Sequence, residues 1–128
     1  MNREILFRGK RLDNDEWVQG VYFPPAHTII TLVNSGTEES PNYEDYMVLP
    51  ETTGQYTGLN DMQDKPIFEG DIVEVDGEEF PFLIEYARQD AIWLASNRYG
   101  ILSFRDNITG DDCTIIGNVY DNPNLLSK

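Results

Sequence analysis

The stretch that decides the fold is Gly70-Asp71-Ile72-Val73-Glu74-Val75-Asp76-Gly77, followed after two acids by Phe80-Pro81-Phe82-Leu83-Ile84-Glu85-Tyr86. The β-branched run predicts a strand over residues 71–75 that ends at Asp-Gly, a strong turn dipeptide. Beyond the turn, the apolar residues at 80, 82, 84 and 86 fall on one face at period two. Pro81 cannot donate to a ladder, so the second strand begins at an edge or a bulge. The stretch therefore predicts a β-hairpin.

The same signals continue downstream of this hairpin. Short apolar runs at 92–95, 101–104 and 114–120 are separated by clusters of turn-forming residues. Five short strands spaced at roughly ten residues are typical of a small barrel or sandwich. Helical periodicity is nearly absent along the whole chain, so the sequence predicts a mainly β protein with little helix.

Upstream, the strand signals are weaker but still present. Residues 4–12 and 16–23 flank Asp13-Asn14-Asp15 and predict a second hairpin, and residues 28–33 are rich in β-branched side chains and predict a third strand. The polar, acidic stretch that follows has Gly36, Glu38, Glu39 and Pro41, so we expect a loop over residues 34–45.

The composition excludes several classes of function. The chain has 128 residues, with 23 acidic and 9 basic side chains and a net charge of −14. Such a polyanion does not bind nucleic-acid phosphates or an anionic membrane surface through bulk electrostatics. No apolar run approaches the roughly 18 residues that a membrane-spanning helix needs, and the first residues do not form a signal peptide. We therefore expect a soluble, cytoplasmic protein.

The basic residues are unevenly distributed. Four of the nine, namely Arg3, Arg8, Lys10 and Arg11, lie in the first eleven positions. One interpretation is a strand whose basic face pairs with acidic strands of the same molecule. The alternative is a basic arm that binds an acidic partner or a second copy of the chain, which leaves a homo-oligomer open.

Motifs for catalysis and cofactors are missing. The sequence has no glycine-rich phosphate loop, no dinucleotide-binding fingerprint and no Gly-x-Ser-x-Gly elbow. His27 is the single histidine and is expected in an exposed turn, and Cys113 is the single cysteine and is expected to fill space as a reduced thiol. With one of each, a Cys/His zinc site within one chain is excluded. We therefore predict no catalytic residue, no cofactor and no metal.

Carboxylate pairs are too numerous to be specific in so acidic a chain. Glu69 and Asp71 precede a strand, and Asp111 or Asp112 would meet them if the first and last strands of a barrel lie side by side. That arrangement would suit a metal-assisted hydrolase, which stays as an alternative function. Solvated turn acids are the simpler interpretation.

The aromatic residues are more informative. Tyr86, Trp93 and Tyr99 belong to a set that is dense for a small β domain. Most such side chains form core, but Trp93 is opposite in pleat phase to its apolar neighbours, so it faces a second layer or is partly exposed. An exposed Trp beside acidic turns such as Glu69 and Asp71 would suit a peptide-binding face. These five residues are the predicted partner-binding set.

Three blocks of the sequence resemble a known family. They are Arg3-Glu4-Ile5-Leu6-Phe7-Arg8-Gly9; Gln55-Tyr56-Thr57-Gly58-Leu59 with, after a polar insert, Ile67-Phe68-Glu69-Gly70-Asp71-Ile72-Val73; and Ile115-Ile116-Gly117-Asn118-Val119-Tyr120-Asp121-Asn122-Pro123. Together they resemble the YopX-like family of bacteriophage and prophage proteins. The resemblance implies a mainly β phage protein whose C-terminal part is an SH3-like barrel, and it implies no established activity or catalytic residue.

The shared residues are of types that suit structural roles. Gly58 and Gly70 suit positions with positive φ or close backbone approach, and Asp71 suits a bond to backbone N–H groups of its turn. Gly117 thins the last strand where another backbone can cross. The remaining residues of this structural set are Asn118, Asn122 and Pro123, which shape the exit of the chain.

Residues and resemblance together lead to a specific prediction. Residues 1–62 form a small β subdomain that contains the acidic loop 34–45, residues 63–121 form a five-stranded SH3-like barrel, and residues 122–128 form a tail. The function that we favour is a non-enzymatic accessory protein of a phage or prophage that binds another protein, of host or phage, in the bacterial cytoplasm. A second hypothesis is an acidic DNA mimic that occupies a DNA-binding protein, since the array of acids imitates phosphates.

Overall fold

The computed structural model of the chain describes residues 6–33 and 42–127. The chain divides into two compact units, Met1–Tyr56 and Thr57–Lys128. The sequence placed a boundary after residue 62, whereas the two units meet within a strand over Gly54–Asn60. Arg3 of the basic start lies outside the described residues.

The strands of the first unit are β1 (Phe7–Lys10), β2 (Trp17–Phe23), β3 (Thr28–Val33), β4 (Asn42–Met47) and the start of β5 (Gly54–Asn60), in the sheet order β4-β3-β2-β1-β5. The predicted first hairpin is confirmed, because Phe7 of β1 opposes Gly20 of β2 in an antiparallel ladder. Gly20 leaves room for the neighbouring strand, since a Cβ there would lie 2.1 Å from the Ile30 carbonyl oxygen. Ile29 and Val48 are the buried apolar side chains of this unit.

The predicted loop over residues 34–45 is wrong in its last part. Strand β4 begins at Asn42, and Tyr43 and Asp45 already pair with β3. The polar composition of residues 42–45 hid the strand, because at a sheet edge one face is open to water and needs no apolar residues. Residues 34–41 lie outside the described part of the chain.

The strands of the second unit are the end of β5, β6 (Pro66–Phe68), β7 (Asp71–Val75), β8 (Phe82–Ala87), β9 (Ile92–Asn97), β10 (Gly100–Ser103) and β11 (Cys113–Asn118). Strands β7 to β11 form one antiparallel sheet in the order β10-β9-β8-β7-β11. The five strands predicted for this region are confirmed. No ladder between β10 and β11 is found in the described residues, so the closure of the sheet into an SH3-like barrel is not confirmed.

The core of the second unit comes from alternating positions of this sheet. Its buried members are Ile67, Val73, Val75, Phe82, Ile84, Ala95, Ile108 and Cys113. Phe82 and Ile84 occupy the inward face of β8, as period two predicts. A bulge between Ile115 and Gly117 bends β11 where it pairs with β7.

Helical structure in the described residues is limited to four short 3₁₀ turns, Pro24–Ala26, Pro50–Thr52, Gly110–Asp112 and Pro123–Leu126. The mainly β fold class is therefore confirmed. The last turn begins after Asn122 with Pro123 at its first position, where the missing N–H of proline carries no cost. None of the helical segments in the described ranges has the length and apolar character to cross a membrane.

Candidate functional site

A groove of about 390 Å³ lies in the second unit, between the β7–β8 connection and the β9–β10 hairpin. The lining residues that define its chemistry are Glu78, Glu79, Phe80, Asn97, Tyr99 and Ile101. Two of the apolar side chains are unusually open, since Tyr99 is 62% exposed and Ile101 is 63% exposed. An apolar surface left open beside acids is typical of a binding site.

The β7–β8 connection positions the acidic side of the groove. Gly77 has a φ of +84°, which glycine adopts without strain, and the Glu78 N–H donates to the Val75 carbonyl at 3.0 Å. The Asp76 N–H donates to the Asp112 carbonyl at 2.9 Å, which anchors the turn to the end of the neighbouring strand. Glu78 and Glu79 follow immediately and are exposed.

Asn97 fixes the other side. Its Oδ1 accepts hydrogen bonds from the N–H groups of Tyr99 at 2.8 Å and Gly100 at 3.1 Å, which closes the tight turn between β9 and β10. Its Nδ2 donates to the Pro81 carbonyl at 3.2 Å, which ties this hairpin to the segment that enters β8. One side chain therefore holds both walls of the groove in register.

The two walls meet through a pair of aromatic rings. Phe80 and Tyr99 stack with centroids 4.7 Å apart and ring planes at 22°. None of the described lining residues is basic. The arrangement is an aromatic platform beside two carboxylates, which can contact an apolar side chain and attract a cationic one.

The predicted partner-binding residues do not form one site. Tyr99 lies in the groove. Tyr86 and Trp93 oppose each other across β8 and β9, near the other end of those strands, with ring centroids 4.9 Å apart. Trp93 packs partly against the core, so it faces a second layer, while Tyr86 is exposed.

The two predicted acids of that set lie elsewhere. Glu69 is half-buried in the turn before β7. Asp71 is buried, and its Oδ2 accepts a hydrogen bond from the Phe68 N–H at 2.8 Å, which is the turn-stabilising role that its sequence context predicts. Neither residue lines the groove.

The predicted structural residues have identifiable contacts. Gly58 and Gly70 have φ values of +85° and +92°, as expected. A Cβ on Gly117 would lie 2.6 Å from the Asn122 Oδ1, so the group that crosses the thinned strand is a side chain and not a second backbone. Asn118 Oδ1 accepts from the N–H groups of the next turn, those of Tyr120 at 3.0 Å and Asp121 at 2.9 Å. Pro123 opens the final 3₁₀ turn.

Sequence reasoning missed Phe80 and Asn97 as groove residues, and it missed the role of Asp61. Asp61 is 2% exposed. Its Oδ1 accepts from the N–H groups of Gln63 and Lys65, both at 2.9 Å, and its Oδ2 accepts from the Ile115 N–H at 3.0 Å. Burial alone would raise the pKa of this carboxyl, but the three hydrogen bonds and the Lys65 charge hold the pKa below its ordinary value.

The other candidates carry little chemistry. Burial, together with the charges of Asp112, Asp61 and Asp76, raises the pKa of the Cys113 thiol to about 11, so this buried cysteine is a poor nucleophile. His27 is exposed in the turn before β3. Within residues 6–33 and 42–127, no three His, Cys, Asp or Glu side chains come together as a metal site.

A second hollow, of about 600 Å³, lies in the first unit and is lined in part by Arg11, Asp13 and Tyr46. The Arg11 Nη2 forms an ion pair with the Asp13 Oδ2 at 2.7 Å, and its guanidinium lies 4.3 Å from the centre of the Tyr46 ring. The hydrogen bond from Arg11 lowers the pKa of Asp13. The cation of this hollow is therefore already neutralised by its neighbour.

Fold and groove define a class of protein: a mainly β chain of two units, with an acidic and aromatic groove on the five-stranded antiparallel sheet. Residues 6–127 match the family model described as YopX protein. The chain therefore belongs to the YopX family, which the sequence resemblance predicted.

Among solved structures, the chain is similar to one described as the crystal structure of protein EF1440 from Enterococcus faecalis. The TM-score is 0.60 at 19% identity, over 98% of this chain and 99% of that chain. This likeness shows the shared fold. Comparison with curated protein sequences found no match.

Proposed function

We propose that the chain is a non-enzymatic protein-binding module whose groove binds a peptide segment with apolar and basic side chains. In this proposal it acts as an accessory protein of a bacteriophage or prophage, and its partner is another protein of the host or the phage. The observation that carries the proposal is the stacked Phe80–Tyr99 pair, open to solvent beside Glu78 and Glu79.

The contact chemistry supports this choice of ligand. Exposed aromatic rings supply large contact area with few rotatable bonds, and they are enriched among the residues that dominate binding energy. The two carboxylates lie at the rim, where they remain solvated, so they contribute to attraction and orientation more than to affinity. A ligand with a basic residue next to an apolar one satisfies both parts of the surface.

The test begins with selection of peptides from a random display library on the immobilised wild-type protein. We expect sequences enriched in Lys or Arg next to apolar residues, and affinities are then measured by fluorescence anisotropy on the synthetic peptides. Tyr99→Ala should weaken binding by roughly thirtyfold, as expected for an aromatic anchor. The matched control is Tyr86→Ala, which removes an exposed tyrosine of the same sheet outside the groove and should leave the affinity unchanged.

The acidic rim is tested separately. Glu78→Gln with Glu79→Gln should weaken binding about three- to tenfold at low salt, and the effect should shrink at high salt because exposed charges are screened. Glu74→Gln with Asp90→Asn is the control of equal charge change, since both residues are exposed outside the groove. The proposal is wrong if no peptide is enriched, or if the groove variants and their controls bind equally well.

A further inference from the structure

Strand β10 is an edge strand, because it pairs with β9 on one side and is the last strand in the sheet order. Edge strands expose backbone N–H and C=O groups that another extended chain can pair with. Proteins usually protect such edges with lysine, proline or an inward-pointing charge. Strand β10 reads Gly100-Ile101-Leu102-Ser103 and has none of these.

The register shows which backbone groups of β10 face outward. The Phe104 N–H donates to the Trp93 carbonyl at 3.2 Å, so this pair exchanges hydrogen bonds with β9. Hydrogen-bonded pairs alternate along an antiparallel ladder. Leu102 therefore bonds to Ala95 of β9, whereas Ile101 and Ser103 direct their N–H and C=O groups away from β9.

Only one of these two residues offers its backbone. The Ser103 N–H donates to the Asn107 Oδ1 at 2.8 Å, and its carbonyl accepts from the Asn107 and Ile108 N–H groups. In the described part of the chain, no group bonds to the outward N–H and C=O of Ile101. Ile101 also lines the groove, so the open backbone and the aromatic platform lie side by side.

We propose that the ligand of the groove binds as an extended strand that pairs with the backbone of Ile101 at the β10 edge. This inference rests on the proposed function and adds the mode of recognition. Main-chain hydrogen bonds hold the peptide in register, while alternate side chains point towards the groove, as in other complexes formed by strand addition. An apolar side chain then contacts Phe80 and Tyr99, and a basic one lies near Glu78 or Glu79.

The experiment uses the tightest peptide from the library selection, synthesised as a series in which one backbone amide at a time is N-methylated. Methylation of the amide that donates to the Ile101 carbonyl should reduce affinity at least about tenfold, whereas methylation of either neighbouring amide should have little effect, because those amides point away from β10. Methylation leaves all side chains unchanged, so the scan isolates the main-chain contact.

A variant of the protein provides the reciprocal test. Ile101→Pro removes the outward N–H but no bond to β9, and an edge position of this kind tolerates proline. It should weaken binding about tenfold relative to Ile101→Val, which keeps the backbone donor and a β-branched side chain. Circular dichroism and the melting temperature show whether each variant is folded, and the peptide scan does not depend on that result.

The outcomes separate this inference from the proposed function. A single sensitive amide flanked by tolerant ones, together with weak binding by Ile101→Pro, supports strand addition. Peptides that bind in the groove with Tyr99-dependent affinity, but tolerate methylation at every amide, overturn strand addition and leave the proposed function standing. Failure to select any peptide overturns both.

Discussion

Replacement of Asp61 by Asn removes a buried carboxylate that ties the turn over residues 61–65 to β11. The two oxygens accept three backbone N–H groups, from Gln63, Lys65 and Ile115. The last of these partners lies 54 positions away in sequence, so this contact joins distant parts of the second unit. An amide of the same size keeps one oxygen and puts an NH₂ group in place of the other.

The cost follows from counting these bonds. If the Asn oxygen stays where it accepts from Gln63 and Lys65, the NH₂ group faces the Ile115 N–H, and a donor is left without a partner at about 1–3 kcal/mol. The two remaining bonds lose their charge assistance, which roughly halves their strength. We therefore expect Asp61→Asn to lower the free energy of unfolding by about 3 kcal/mol, which corresponds to a fall of roughly 10 °C in melting temperature.

Thermal unfolding followed by circular dichroism measures this change at neutral pH. Glu74→Gln is the control, since it removes the same charge from an exposed position on β7, and it should change the free energy of unfolding by less than about 0.5 kcal/mol. If Asp61→Asn unfolds within two or three degrees of this control, the three hydrogen bonds do not stabilise the fold as argued.

The same contact predicts a pH dependence. The pKa of Asp61 is lower in the folded chain than its ordinary value, so its contribution to stability is fully present above the unfolded pKa of about 3.9. That contribution is lost as the pH falls through the folded pKa. The difference in stability between the wild type and Asp61→Asn should therefore shrink below about pH 4. A difference that stays constant down to pH 2 would contradict the assignment.

Three further predictions concern single positions. Ile29 is fully buried and its neighbour Ile30 is 38% exposed on the opposite face of β3, so Ile29→Ala should cost about 2–5 kcal/mol in a denaturant titration and Ile30→Ala less than about 1 kcal/mol; equal costs would refute the assignment of faces. Ala91 has a φ of +54°, so Ala91→Gly should raise the free energy of unfolding by about 1 kcal/mol, and a lower melting temperature would contradict this. Cys113 should react with Ellman's reagent in concentrated guanidinium chloride but only slowly in the native protein, and fast native labelling would show that the thiol is accessible.

The strands of the second unit could be predicted because their signals are local. Asp76-Gly77 marks a turn by its chemistry, and the period-two apolar residues of β8 are fixed by the pleat. Phe82 and Ile84 therefore lie on the inward face where the pattern puts them. Boundaries agree within a few residues because each strand is flanked by its own turn signal.

Strand β5 could not be predicted in this way. Gly54, Gly58 and Asn60 are poor strand formers, and Gly58 has a positive φ inside the strand. The conformation of its first half is set by the pairing of Gly54 and Gln55 with β1, a contact between residues far apart in sequence. Such pairing leaves no periodic signal in the segment itself.

The groove is also a product of tertiary structure. Tyr99 could be selected because aromatic residues near acids are rare and informative, but Phe80 reads as one more inward position of the strand over 80–86. Strand β8 begins only at Phe82, so Phe80 lies before the ladder and turns towards Tyr99. Asn97 has an ordinary turn signal, and nothing local shows that its amide reaches the Pro81 carbonyl.

The acidity of the chain has two different physical origins, and separating them sharpens the functional argument. Asp61 and Asp71 are buried, and both accept hydrogen bonds from backbone N–H groups, so their charges are used within the fold. Glu78 and Glu79 are exposed beside the stacked rings of the groove. A charge that already has a backbone partner gains little from a ligand, whereas a solvated charge at the rim of an apolar surface adds long-range attraction at little desolvation cost. The acids that matter for binding are therefore expected among the exposed ones, which is why the groove and not the Glu69–Asp71 turn is the surface to mutate first.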